Sequence, residues 1–412
     1  MIFSGAGLLE GDGSDPRAGE VRAAAEAILP WMVEIRRDLH RHPELGLEEH
    51  RTARQVQARL DELGIEHVDG IGGTGVLGLV RGAEPGPAVA LRADLDALPL
   101  TDAKDVAYKS QIPGKMHACG HDFHTAVLLG AARLLAERRE ELPGLVKLLF
   151  QPAEETVGGA RLLIEAGVLE APKVEAIFGL HVDPGLPVGQ VGLRYGQRNA
   201  SSDNLTLTIH GRSSHAAYPS GGVDSIVVAA QVITALQSVV SRNVDARDSA
   251  VVTLGTIEGG TQGNIVAGRV RMVGTVRCLN QSIRELVLRR VQETAEGVAS
   301  ALGAQAEVTI EPSYDPLVND DAMVDVVRDS ARRLLGPENV VVVGRPNMGV
   351  EDFAFYLSQV PGAFYALGVR NEEAGIVHPV HHELFDADEH ALAIGAALQV
   401  LNALAVLESG AG

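Results

Sequence analysis

The chain is 412 residues long and 46% hydrophobic, with 54 acidic against 35 basic side chains and a net charge of −19. That length exceeds one ordinary hydrophobic core and predicts two domains, while the acidic surface excludes nucleic acid and anionic membrane as partners. Two cysteines cannot form a disulfide framework, which points to a reducing, cytoplasmic home.

In chain order, residues 1–17 have no basic start before their short apolar patch, carry several acids and glycines, and read as a frayed tail, not a signal peptide. Val21 to His42 has helical periodicity through Ile28, Met32, Ile35 and Leu39 and stops before Pro43. Its charged end, Arg36 to His42, reads most simply as a solvated face. A second helix is expected from Glu48 to Leu63. Gly70-Ile71-Gly72-Gly73-Thr74-Gly75 fits the dinucleotide pattern G-x-G-x-x-G, but a strand-like run, Val76 to Val80, follows it where that reading needs a helix. It is read as a glycine turn between strands.

Short apolar runs at Ala88–Leu91, Leu145–Phe150, Val174–Leu180 and Ala363–Val369 read as strands. Each leads into a polar cluster: Arg92-Ala93-Asp94-Leu95-Asp96, Gln151-Pro152-Ala153-Glu154-Glu155, His181, and His378-Pro379-Val380-His381-His382. Helices are expected between them at about 122–139 and 159–166. Strands alternating with helices predict an α/β domain with a mostly parallel sheet, whose ligands gather beyond the strand carboxyl ends.

From about Gln197 to Pro312 the pattern becomes strand 205–210, helix 222–240, strands 250–257 and 269–277, helix 282–302 and strand 306–310. That β-α-β-β-α-β order is the ferredoxin-like split motif. The expected organisation is therefore a catalytic domain of residues 1–196 and 313–412, flanked by helices, with an inserted α+β lid of residues 197–312. A helix near 321–335 returns the chain to the first domain. The apolar stretch 391–407 is interrupted by Gln399 and Asn402 and reads as an amphipathic C-terminal helix, not a membrane span.

The densest chemistry lies in His117-Ala118-Cys119-Gly120-His121-Asp122-Phe123-His124. Cys119 and His121 stand two apart and cannot share a helix face, but a loop can turn both toward one centre. Thiolate with imidazole suits a transition metal; the competing reading is a buried Cys beside helix-capping polar residues. Adjacent Glu154 and Glu155 can divide metal binding from proton transfer, where a solvated helix start is the other option.

Taken together, R-R-D-L-H-R-H-P-E-L at Arg36, R-A-D-L-D-A-L-P at Arg92, M-H-A-C-G-H-D at Met116, F-Q-P-A-E-E at Phe150, G-L-H at Gly179, G-R-S-S-H-A-A at Gly211, M-G-V-E-D-F at Met348 and H-H-E-L-F-D-A-D-E at His381 resemble the co-catalytic metallopeptidases. That family includes aminoacylases, hippurate hydrolases, indole-acetyl-amino-acid hydrolases and glutamate carboxypeptidases; the nearest likeness is to the bacterial N-acyl-amino-acid amidohydrolases. The resemblance implies two divalent metal ions per subunit (zinc, manganese, nickel or cobalt) held by Cys119, His121, Glu155, His181 and His381. His381 is singled out from His378 and His382 by the family's H-x-x-x-F-D pattern.

It further implies Glu154 as general base, Asp94 as a carboxylate orienting a ligand or the base, and a lid His215 that reaches the partner subunit's site to stabilise the oxyanion. Asn264 and Arg277 match positions that bind the substrate carboxylate, and dimerisation through the lid is implied too. Arg92 departs from branches that place a histidine ligand there. Asp122 and His124 read as capping or supporting groups, Glu351 and Asp352 as a helix start, and Cys278 as a small buried residue. The implied reaction is cleavage of an N-acyl amino acid's amide bond by metal-activated water, with Glu154 taking and returning the proton. The alternatives are a dipeptidase, carboxypeptidase or carbamoyl-amino-acid hydrolase on the same scaffold, a Cys119 nucleophile, or a non-catalytic metal-binding relative.

Overall fold

Apolar runs that lack polar alternation need cover on both faces, and here they form the middle of an eight-stranded sheet in a computed structural model that describes residues 15–409. The strand order is Glu66–Ile71, Gly75–Arg81, Pro143–Gln151, Glu84–Asp94, Val174–Pro187, Gly362–Arg370, Val191–Leu193 and Val340–Val342. The central pairings, from Pro143–Gln151 across to Gly362–Arg370, are parallel. Antiparallel pairs sit at the hairpin edge and between Gly362–Arg370 and Val191–Leu193. The sheet is therefore mixed but mostly parallel and flanked by helices, as the alternation of elements implies. The glycine-rich run is the turn of that edge hairpin, with Ile71 paired to Gly75.

Contacts divide the described chain into two compact units, one of residues 15–196, 319–344 and 355–409, the other Gln197–Val318 with Arg345–Ala354. Of the expected tail, residues 1–14 lie outside the described residues. Asp15 is already a helix cap, its carboxylate accepting from Arg17 N at 3.0 Å. The single helix expected over 21–42 is two, Pro16–Ala27 and Leu29–Arg41, broken at Ile28. Pro30 explains the break, since its missing N–H costs nothing only in a first turn.

Ala391–Ser409 is buried on almost every side, not amphipathic. It is enclosed by the sheet and by the helices Pro16–Ala27, His121–Ala136 and Asp321–Leu335. A helix covered all round shows no wet face, so its composition matches a membrane span while its place is a protein core.

In the second unit four antiparallel strands run in the order Gln305–Tyr314, Ser202–His210, Arg269–Cys278, Ala250–Gly259. The helices Ser225–Asn243 and Gln281–Ala301 pack on this sheet, and the element order is β-α-β-β-α-β. Both helices start on side-chain caps, Asp224 accepting from Ile226 N and Asn280 from Ile283 N.

Candidate metal centre

Gly120 adopts φ +86 immediately before the helix His121–Ala136. A Cβ there would stand 2.5 Å from Val182 Cγ2, so only glycine lets the chain turn so tightly. The turn allows Cys119, before the helix, and His121, its first residue, to face one centre. Cys119 Sγ lies 3.3 Å from His181 Nε2 and 3.3 Å from His381 Nε2. His381 itself has φ +60, and its N–H donates to Ala118 O at 2.8 Å, tying the two loops together. Glu155 Oε1 stands 3.1 Å from His381 Nε2.

In each of the triads Cys119/His121/His181, Cys119/Glu155/His381 and His121/Glu154/Glu155, one donor atom per residue lies within 4.8 Å of the others. Cys119 is common to two triads and His121 to two. The structure thus brings together all five side chains named as metal ligands, with Glu154 beside them.

These donors fit a cation. His121 Nε2 is buried without a hydrogen-bond partner, an arrangement that ordinarily costs about 1–3 kcal/mol unless something else satisfies it. Burial works to lower the His121 pKa, yet Asp94, Asp96 and Glu155 outweigh it and raise the imidazole to about 10, the mark of a cavity short of positive charge. Burial, then Glu155, Glu154 and Asp94, push the Cys119 thiol well above its ordinary range. A thiolate there calls for a cation beside it. His181 Nδ1 is 2.7 Å from Val182 O, and that N–H···O bond leaves Nε2 turned toward Cys119 as a metal-binding imidazole requires.

Asp94 takes a supporting place. Its Oδ1 is 2.6 Å from His124 Nδ1, its Oδ2 accepts from Arg92 Nη1 at 2.6 Å, and its main-chain O accepts from Thr125 Oγ1 at 3.0 Å. Burial opposes its ionisation, but His121, Arg92 and His124 hold it well below the usual carboxylate range. His124 has both ring nitrogens engaged, Nε2 accepting from Val182 N at 3.0 Å, and burial lowers it to about 4; it supports the site and has no nitrogen left for a metal. Strand Val174–Pro187 runs on past His181, so that residue sits within a strand, not at its end.

The charged end of the helix Leu29–Arg41 is not a solvated face. Arg36 and His40 are both buried. Arg36 donates to Asp122 Oδ2 at 3.0 Å and to Asp386 Oδ1 at 2.7 Å, and His40 Nδ1 lies 2.7 Å from Asp122 Oδ2. Lys104 Nζ reaches His40 Nε2 at 2.9 Å and Phe385 O at 2.7 Å. Asp122 follows His121 and Asp386 lies just beyond His381, so this network braces the segments that carry those two histidines. The pairing was invisible because its partners are 86 and 350 residues away in sequence.

Two more carboxylates escaped sequence reasoning. Glu49 Oε1 accepts from Ala153 N at 2.8 Å, and Asp96 accepts from Glu154 N at 3.1 Å and Glu155 N at 2.9 Å. The second aspartate of R-A-D-L-D was the available signal for Asp96.

Most of the remaining named residues lie in the second unit. His215 and Asn264 are neighbours, with Ala216 N donating to Asn264 O at 3.0 Å and His215 paired to Ile265 in an isolated bridge; both are exposed. Arg277 donates from Nη1 to Met348 O at 3.3 Å. Glu351 accepts from Phe353 N at 3.0 Å in the turn before the short helix Ala354–Leu357. Cys278 is buried. In the first unit His378 and His382 stack at 4.7 Å.

A mostly parallel α/β sheet carrying a thiol–imidazole–carboxylate cluster, buried at Cys119 and His121 and open at His381, has the makings of a metal-dependent hydrolase. The profile of Peptidase family M20/M25/M40 matches residues 90–403, and the chain belongs to that family. It is 41% identical over 387 residues to N-acetylcysteine deacetylase of Bacillus subtilis strain 168, covering 94% of this chain and 99% of that protein. It is 43% identical over 372 residues to IAA-amino acid hydrolase ILR1-like 4 of Arabidopsis thaliana, covering 89% and 84% respectively. Among solved structures it resembles Bacillus subtilis YXEP, described as a dinuclear metal binding peptidase from the M20 family. The TM-score is 0.82 and the identity 37%, covering 93% of this chain and 99% of that one.

Proposed function

We propose that the chain hydrolyses the amide bond of N-acyl amino acids, using two divalent metal ions held by Cys119, His121, Glu155, His181 and His381. The observation that carries this reading is the sharing of Cys119 between the triads Cys119/His121/His181 and Cys119/Glu155/His381, donor sets that would hold two neighbouring cations. When bound, such a pair supplies Lewis acidity at the amide carbonyl and at water. The mixed sulfur, nitrogen and oxygen set accommodates zinc, manganese, nickel or cobalt.

Glu154 takes the proton from the attacking water and delivers it to the leaving nitrogen. Its main chain is fixed by Asp96, which keeps the carboxylate at one position through both transfers. Asp94 and Arg92 support the floor of the site through His124 and Gln151. In the second unit, His215 stabilises the oxyanion of the partner subunit's site, and Asn264 and Arg277 bind the substrate carboxylate; the guanidinium fork suits that group. This assigns residues 197–312 as a lid and homodimer contact in a cytoplasmic enzyme, resting on the family resemblance. The activities for which the deacetylase and the IAA-amino acid hydrolase are named favour acylated amino acids over free-amine peptides.

The test is a panel of N-acetyl, N-benzoyl and indole-acetyl amino acids beside free-amine dipeptides and carbamoyl amino acids, each with chelator and with added metal. Metal-dependent release of amino acid from the acylated set is expected. Turnover confined to the dipeptides or to the carbamoyl set moves the assignment to a peptidase or carbamoyl hydrolase. Tight metal binding without turnover moves it to a non-catalytic relative, and chelator-resistant turnover lost to iodoacetamide moves it to a Cys119 nucleophile.

A further inference from the structure

Three successive main-chain N–H groups leave the end of the strand Pro143–Gln151 and meet two buried carboxylates. Ala153 N donates to Glu49 Oε1 at 2.8 Å, Glu154 N to Asp96 Oδ1 at 3.1 Å, and Glu155 N to Asp96 Oδ2 at 2.9 Å. Asp96 Oδ1 also lies 3.2 Å from His121 Nδ1. Ala153 has φ +57, a left-handed conformation that costs a non-glycine residue about 1 kcal/mol or more and persists only where its surroundings enforce it. The two carboxyl groups, buried at 0–1% exposure, provide that enforcement through the three main-chain hydrogen bonds they accept.

We infer that Asp96 is a positioning residue that sets the proton-transfer carboxylate Glu154, the ligand Glu155 and the ligand His121 with a single side chain. One oxygen accepts from the Glu154 main-chain N–H and from His121 Nδ1–H, so that His121 presents Nε2, its orphaned nitrogen, to the centre. The other oxygen holds Glu155. A displacement of Asp96 therefore moves base and ligands together, which couples the metal position to the proton-transfer position. Glu49 performs the lesser task of fixing Ala153, and Thr74 Oγ1 donates to its other oxygen at 2.6 Å. Asp96 and Glu49 both act through what they hold.

The inference rests on the reading of His121 and Glu155 as ligands and Glu154 as base, and its test separates the two. Asp96→Asn keeps the shape but turns one acceptor oxygen into an N–H donor, so a donor faces either Glu155 N–H or the pair Glu154 N–H and His121 Nδ1–H. Cobalt(II) binding to the metal-free chain is measured by competition with a chromophoric chelator, with the visible spectrum of the cobalt form and steady-state kinetics alongside. Asp96→Asn is expected to bind cobalt about 10- to 100-fold more weakly, to shift the cobalt spectrum, and to lose kcat with KM little changed. If wild type binds and turns over while Asp96→Asn matches it in affinity and spectrum, the positioning role is overturned and the functional reading stands. If wild type binds no cobalt, the functional reading itself falls.

Should Asp96→Asn fail to fold, histidine nitrogen NMR of the wild-type metal form decides. A signal lost in His121→Gln should show a proton on Nδ1 and metal on Nε2. Metal on Nδ1 overturns the inference.

Discussion

The two units bury their charges in different ways. Beside the segments that carry His121 and His381 the first unit encloses Arg36, His40, Lys104, Asp122 and Asp386 in one connected network, and it also buries Asp94, Asp96 and Glu49. The second unit buries the ion pair of Arg284 with Asp203 at 2.8 and 2.7 Å and, in its segment 345–354, the carboxylates Glu351 and Asp352, and leaves His215 and Asn264 exposed on a turn. Burying charge is expensive unless every member is paired. A fold accumulates that cost where side chains must stand ready in one geometry, so the contrast marks the first unit as preorganised for chemistry. The second unit needs its pair only to join the helix Gln281–Ala301 to the strand Ser202–His210.

Breaking the larger network should have the larger effect. Arg36→Met leaves Asp122 and Asp386 buried without their guanidinium, a loss of about 3–5 kcal/mol, read from the urea midpoint; metal affinity should fall with it because both ligand segments loosen. A loss under about 1 kcal/mol, the worth of an exposed pair, would erase the distinction between the units. Arg284→Met should cost about 3 kcal/mol at most, the low end for a buried pair, since Asp315 on the same guanidinium is partly exposed. Amide hydrogen exchange should localise that loss to the second unit and leave cobalt binding untouched.

Glu49 sharpens the comparison through pH. Burial raises its pKa from 4.5 to about 7, so between those values the folded chain holds a proton that the unfolded chain has lost. The stability tied to this group is complete below about pH 4.5 and drains away as pH rises through about 7, by roughly 3 kcal/mol in all. Glu49→Gln should flatten that slope in denaturation curves taken from pH 4.5 to 8; an unchanged slope would assign it to other groups. Smallest in free energy is Glu154→Gln, which should keep its metal and lose about 100-fold or more in kcat, near 2.7 kcal/mol of barrier. Near-normal turnover would remove Glu154 from proton transfer.

The elements that sequence reasoning found are those whose burial leaves a periodic trace. Strands at Ala88, Leu145 and Ala363 stood out as apolar runs, and the 205–310 stretch kept the alternation of a sheet covered on one face. The rim clusters were legible because ligand-type side chains followed each strand. What stayed hidden depends on contacts far apart in the chain. Arg36 looked solvated because nothing near it in sequence could pair it, and Ala391–Ser409 looked amphipathic because Gln399 and Asn402 suggested a wet face, yet both are buried. Asp96 lies two residues past the end of its strand, where side-chain alternation no longer tells direction, and only the fold shows it beneath Glu154 and Glu155.

The central claim is that Cys119, His121, Glu155, His181 and His381 hold a pair of cations. Anomalous diffraction from crystals of the chain loaded with cobalt or zinc reads this directly. Two peaks should appear within bonding distance of Cys119 Sγ, one beside His181 and one beside Glu155 and His381. A Cys119 with no metal next to it, or ions bound only elsewhere, would contradict the account.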